Sequence, residues 1–272
     1  MRLTEVGRRH GRRRPWVLRG VSMELPPGAL IRVEGRNGDG KSTLLRLVAG
    51  IDTPTEGRIT GRPLRTAYVP ERFPAALPLT AAAYLTRMGA VHGLPRATAA
   101  DRAAGWLERF GAAEYARTPL AELSKGSAQK VAVAQALLAD PALLVLDEAW
   151  TGLDTAARGE LDRAVLERTA AGGTVLFVDH DPRRLVGAAD ARHRIEDAAL
   201  VPAPPEAGDE GPCVRVHVTG PPGATPPPGL STEPAPDGGL LLTVPAARSD
   251  AALRALLTAD PPWHVRGVRE LP

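Results

Sequence analysis

Cysteine is almost missing from this 272-residue chain. Cys213 stands alone, which excludes an internal disulfide framework and a cysteine-rich zinc site. No apolar run is long enough to cross a membrane. The best stretch, residues 131–146, is broken by Gln135, Asp140 and Pro141, and roughly 18 uninterrupted apolar residues are needed. Residues 1–17 are arginine-rich with no apolar core behind them, which excludes a secretory signal. With 34 basic and 31 acidic residues the net charge is only +3, so no large footprint for nucleic acid is implied. There is no internal repeat. These absences describe a soluble cytosolic protein.

Lysine is the other scarcity. Only Lys41, Lys125 and Lys130 occur, against 31 arginines. With 28 Gly, 27 Pro and abundant Ala, this is the coding bias of a GC-rich bacterial genome. Where such a chain keeps a lysine, the chemistry has use for a compact ammonium. What remains is ordinary for a globular protein: 43% hydrophobic and 24% charged residues, and length for one large domain plus a small appendage.

The pattern along the chain is mostly strand, helix, strand. Residues 16–33 read as two strands around a Pro26-Pro27-Gly28 turn, the second short and apolar. Residues 41–49 show a helical stripe of Leu44, Leu45, Leu47 and Val48 closed by Gly50. Residues 66–69 are a short strand, and 79–121 are alanine-rich helices broken near Pro95 and Pro119. Helices over 127–139 and 154–170 flank an apolar strand at 143–146, and another strand follows at 174–178. Strands alternating with helices predict an α/β fold, a mostly parallel sheet covered on both faces. Residues 201–236 are rich in Pro and Gly and read as a linker region, with an alternating strand at 213–218 inside it. A strand at 240–244, a helix at 250–257 and a strand at 263–268 complete a small C-terminal α+β unit over 213–272.

Gly35-Arg36-Asn37-Gly38-Asp39-Gly40-Lys41-Ser42 fits G-x-x-x-x-G-K-[ST] between a predicted strand and a predicted helix. Glycines let successive backbone N–H groups turn inward as an anion nest, and the helix start adds its positive end. Lys41 offers a point charge to the β- and γ-phosphates, and Ser42 a hydroxyl to Mg²⁺. Downstream, Leu143-Leu144-Val145-Leu146 ends in Asp147-Glu148, at the sheet edge where ligands of parallel sheets bind. Asp147 can hold Mg²⁺, and Glu148 can orient or deprotonate an attacking water. Either pair of residues alone could be a plain turn or a helix cap; together they read as a nucleoside triphosphatase.

Between them stands Leu123-Ser124-Lys125-Gly126-Ser127-Ala128-Gln129-Lys130-Val131. This segment resembles the LSGGQ signature of the ATP-binding cassette (ABC) ATPases, matching at Leu123, Ser124 and Gly126 and departing at Lys125 and Ser127. The roughly 100 residues from Lys41 to Asp147 exceed any ordinary connection and leave room for an inserted helical subdomain. Gly152-Leu153-Asp154 is similar to the family's D-loop, and His180, after the strand at 174–178, to its switch histidine on the γ-phosphate. The resemblance covers about residues 3–200.

It implies a P-loop cassette over 1–200 with an antiparallel β part, a RecA-like parallel core and a helical subdomain at about 75–128. It also implies ATP and Mg²⁺ as ligands, with residues 35–43, Thr43 included, around the nucleotide. Ser42, Asp147 and Glu71 would lie at the metal, and Glu148 and His180 would be catalytic. In the family, two such subunits pair, so that Ser124, Lys125 and Gly126 contact ATP on the opposite subunit and Asp154 crosses between them. The pair, identical or not, drives separate membrane subunits, which places this chain on the inner face of the cell membrane. The Ser-Lys-Gly variant looks like cassettes of export systems. A non-transport ABC ATPase acting on nucleic acid or the ribosome is disfavoured by the single cassette and the lack of heptads. A weakly hydrolysing regulatory cassette stays open, because the Q-loop reads Val69-Pro70-Glu71 where Pro-Gln is usual. His10, or else Trp16, would stack on the base.

Overall fold

The computed structural model describes residues 1–11, 13–73, 77–203, 213–220, 231–235, 238–246, 249–259 and 262–271. The chain divides into two compact units, one of Met1–Arg184 with Arg192–Ala203, the other of Leu185–Ala191 with Pro204–Pro272.

The first unit is built on β3 (Leu30–Glu34), β5 (Thr66–Val69), β6 (Leu143–Asp147) and β7 (Thr174–Val178). The antiparallel pair β8 (Ala191–Glu196) and β9 (Ala199–Pro202) extends the same sheet, in the order β5-β6-β7-β3-β8-β9. Pairing of β5 with β6, β6 with β7, and β3 with β7 is parallel. All five residues of β6 and of β7 are buried, which is why these segments read as continuous apolar runs instead of alternating. Helix α1 (Lys41–Ala49) buries Leu44, Leu45, Leu47 and Val48, and Gly50 ends it in the left-handed region with its N–H on the Arg46 and Leu47 carbonyls.

A second sheet, β2-β1-β4, is antiparallel and made of β1 (Arg2–Arg8), β2 (Leu18–Glu24) and β4 (Glu56–Thr60). The two strands expected over 16–33 are β2 and β3, and they belong to different sheets. The local pattern does not locate β1 and β4, which with β2 form the antiparallel part that the resemblance implies. The reason is local: Glu5 takes a positive φ of 50° and the β1 register shifts beside it, so the period-two pattern is broken inside the strand. At the partner strand, a Cβ on Gly57 would meet the Glu5 carbonyl oxygen at 2.1 Å, so only glycine fits.

The alanine-rich region forms α2 (Ala81–Val91) and α3 (Arg96–Arg109). α2 buries Ala81, Leu85 and Gly89, and α3 buries Ala99, Ala103 and Leu107, each a single i, i+4, i+8 stripe. A Cβ on Gly89 would lie 2.6 Å from that of Ala99, so the helices approach backbone to backbone. Helix α4 (Lys125–Leu137) starts two residues before the expected 127, because Ser124 caps it. Helix α5 (Thr155–Ala170) is capped by Asp154, whose side chain accepts from the Ala157 N–H. The start of the helical subdomain, at about residue 75, lies outside the described residues.

The second unit is an antiparallel sheet, β11-β12-β10-β13, formed by β10 (Cys213–Thr219), β11 (Ser231–Pro234), β12 (Leu240–Pro245) and β13 (His264–Glu270), with α6 (Ser249–Leu257). Val214, Val216 and Val218 alternate into its core with Leu242, Val244, Leu256 and Trp263. β11 stands within the stretch read as a linker; residues 204–212 and 221–230 of that stretch lie outside the described residues.

Candidate nucleotide site

The loop from Gly35 to Gly40 joins β3 to α1. Gly40 has a φ of 103°, and a Cβ there would sit 2.9 Å from the Val17 carbonyl oxygen, so the close approach requires glycine. α1 has no side-chain cap at this end. Lys41, 7% exposed, folds back into the loop and donates to the carbonyls of Gly35 at 2.8 Å and Arg36 at 2.9 Å. Asp39 accepts the Arg36 N–H at 2.5 Å and braces the loop tip.

The ends of β5, β6 and β7 bring the acidic groups to this loop. Ser42 donates its hydroxyl to Asp147 Oδ1 at 3.1 Å, and the Tyr68 hydroxyl donates to Oδ2 at 2.9 Å. Burial raises the Asp147 carboxyl above the usual range, opposed by these two bonds. The Tyr68 phenol is raised as well, by burial and then by the charge of Asp147. Glu148 takes a positive φ of 53°, with its N–H on the Val178 carbonyl at 3.0 Å; a non-glycine residue in that region is strained. Its carboxylate lies 2.8 Å from His180 Nε2. Burial raises Glu148, His180 lowers it, and the charges of Glu71 and Asp147 raise it further. Glu71 thus acts on both carboxylates, and Lys41 offsets it on both.

On α4, Ser124 and Lys125 are exposed, and Gly126 is half-buried. Ser124 Oγ accepts the Ser127 N–H at 3.1 Å and shares a hydrogen bond with its hydroxyl at 2.9 Å. A Cβ on Gly126 would lie 2.8 Å from the Gly152 carbonyl oxygen, so the signature and the 152–154 loop touch through backbone. Lys130 pairs with Asp154 at 2.7 Å, and that hydrogen bond holds the Asp154 carboxyl below the usual range.

Ser42, Asp147, Glu148, His180 and Glu71 are therefore gathered at the mouth of the loop, while Ser124, Lys125, Gly126 and Asp154 form a separate cluster along α4 and the start of α5. His10 is exposed in the turn after β1, and among the described residues no hydrogen bond or ion pair involves its side chain. Trp16 is half-buried, with Arg9 and Arg19 at 4.6 and 5.7 Å from its ring centroid, and its neighbour Val17 is the residue that touches Gly40. The chain meets the loop at Val17, beside Trp16. Trp150 is buried, 5.7 Å from Phe177, with its indole N–H on Asp162 at 2.9 Å. Sequence reasoning missed Tyr68 and Gln129, whose amide donates to the Ala149 carbonyl at 3.2 Å. Only the strand register, pairing Tyr68 with Val145, brings that hydroxyl near Asp147.

Among the described residues no three His, Cys, Asp or Glu side chains cluster as a closed metal cage. The donor set fits Mg²⁺ nonetheless: a hydroxyl and a carboxylate, both hard oxygens, beside an anion nest, suit an ion that takes few protein ligands and completes its shell with phosphates and water.

The model of a family described as ABC transporter matches residues 18–151. The chain is similar to the zinc import ATP-binding protein ZnuC of Cereibacter sphaeroides, with 42% identity over 183 residues, 66% of this chain and 72% of that protein. It is similar to the aliphatic sulfonates import ATP-binding protein SsuB of Mycobacterium avium, with 37% identity over 203 residues, 73% of this chain and 78% of that protein. A dimeric ATP-binding cassette in a post-hydrolysis state, bound to ADP and Pi, shares the fold at a TM-score of 0.63 and 23% identity, over 73% of this chain and 95% of that one.

Proposed function

The chain belongs to the ABC transporter ATP-binding family, and from that premise we propose that residues 35–43, Asp147, Glu148 and His180 are its working hydrolytic site. The observation that carries the reading is the meeting of Ser42, Asp147 and the Glu148–His180 pair at one sheet edge beside an uncapped helix start.

Backbone N–H groups of the loop and of the first turn of α1 bind the β- and γ-phosphates. Lys41 exchanges its two carbonyl partners for phosphate oxygens. Ser42 and Asp147 would hold Mg²⁺, which when bound neutralises charge between the terminal phosphates. Glu148 orients the attacking water and takes its proton, and its burial raises the carboxyl above the usual range, which strengthens it as a base. His180 holds Glu148 in place and contacts the γ-phosphate. Replacing Glu148 with Gln is expected to lower turnover by about 10²-fold with ATP binding retained; normal turnover would assign the base elsewhere.

Ser124, Lys125, Gly126 and Asp154 serve ATP held by a second cassette, identical or not. The exposure of Ser124 and Lys125 at the start of α4, and of Asp154 at the start of α5, supports this, as does the dimeric state of the solved cassette. Separate membrane subunits would place the pair on the inner face of the cell membrane; no described helix is long and apolar enough to cross one. A nucleic-acid or ribosome role is set aside on the family match and the relatives' names.

The export direction expected from the signature variant finds no support among the named relatives, which are import subunits with two different cargoes. Their names favour inward transport, and Ser124-Lys125-Gly126 alone favours outward. Reconstitution with the membrane partner in sealed vesicles, with ATP on the side of this chain, separates the two by the side on which cargo accumulates.

A further inference from the structure

A guanidinium occupies a place where a parallel sheet ordinarily buries aliphatic side chains. Arg32 lies mid-strand in β3 and is 3% exposed. A buried charge persists only where its donors are met. Nη1 donates to the carbonyls of Pro182 and Arg184, both at 3.1 Å, and Nη2 to that of Asp181 at 2.9 Å. Nε lies 3.2 Å from the carboxylate of Glu34, the residue directly before the phosphate loop. The three carbonyls belong to the segment immediately after His180. Arg184, itself part of that segment, ties it to α5 through Asp162 at 2.8 Å and lies 3.6 Å from Asp181.

We infer that Arg32 is a positioning residue for hydrolysis. It hangs the loop that carries His180 on the strand that carries the phosphate loop, so that the imidazole and the phosphate nest keep a fixed separation. The inference rests on the reading of His180 as a group acting on the γ-phosphate. Three backbone acceptors on one planar fork also explain why arginine stands here: an ammonium offers a single point, and an aliphatic side chain none.

Steady-state ATP hydrolysis by the full chain tests this with Arg32→Met, Arg32→Lys, His180→Ala and the double variant Arg32→Met/His180→Ala. Met fills much the same space without donors. The expected result is a fall of about tenfold in kcat for Arg32→Met with KM for ATP within about twofold, because misplacement of a reacting group acts on the chemical step. Arg32→Lys keeps more activity than Arg32→Met, and the Met substitution adds little once His180 is Ala. A packing role would reverse the order of Met and Lys. Wild-type turnover in Arg32→Met, or losses that multiply in the double variant, would overturn the inference while leaving His180 in its role. Wild-type turnover in His180→Ala would remove both. Should Arg32→Met not fold, Arg184→Met loosens the same segment from the Asp162 side; unchanged kcat there also overturns it.

Discussion

The helix after the phosphate loop starts without a side-chain cap, whereas the helix after the signature is closed by its own serine. At α1 the free amides are left for an anion, and the nearest cation, Lys41, rests on backbone carbonyls until one arrives. At α4, Ser124 already serves the Ser127 amide and hydroxyl. A cap of this kind is worth about 1 kcal/mol, so only a strongly charged group competes for that helix start. On the proposed reading, the first element is left open for a ligand, and the second stays capped until a triphosphate on a neighbouring cassette is presented to it.

The sharpest way to break the contrast is Lys41→Ala. Removing the ammonium is expected to weaken ATP binding by about 100-fold and abolish measurable hydrolysis, by calorimetry and phosphate release. Tight binding in that variant would mean that α1 is not the nucleotide's seat. Ser124→Ala comes next. It should lower turnover by about tenfold and cost about 1 kcal/mol of thermal stability through the lost cap, while ATP affinity of the unpaired chain stays unchanged. A loss of affinity in the unpaired chain would place Ser124 in its own nucleotide site instead of a partner's. The smallest effect belongs to Glu71→Gln. Removing a negative charge that raises both Asp147 and Glu148 should leave turnover unchanged or raise it by about twofold. A collapse of activity would show that the carboxylate at this position is required.

Much of this was legible before any coordinates. β5, α1 and β7 run over the expected residues: α1 carries its apolar stripe between Gly40 and Gly50, β7 is buried throughout, and β5, alternately half-buried and buried, ends before Pro70. β1, β4, β8 and β9 were not legible. They pair antiparallel; β1, β4 and β8 carry Arg and Glu, β9 is a four-residue edge strand, and a left-handed Glu5 interrupts the alternation of β1, so partner strands decide them more than local pattern does. The loop and the carboxylates are singled out by a residue pattern that phosphate and metal chemistry demand, and His180 by the family resemblance; the fold brings Ser42 to Asp147 and His180 to Glu148. Tyr68 and Arg32 could not be read, since the strand register of one and the distant backbone partners of the other are encoded in no local motif.

The bare contact between Gly126 and Gly152 has a mechanical consequence. With no room for a side chain between them, a shift of the Gly126 turn toward residues 152–154 would press directly on the Gly152 carbonyl. A distortion imposed at either would then be felt at the other without a relay.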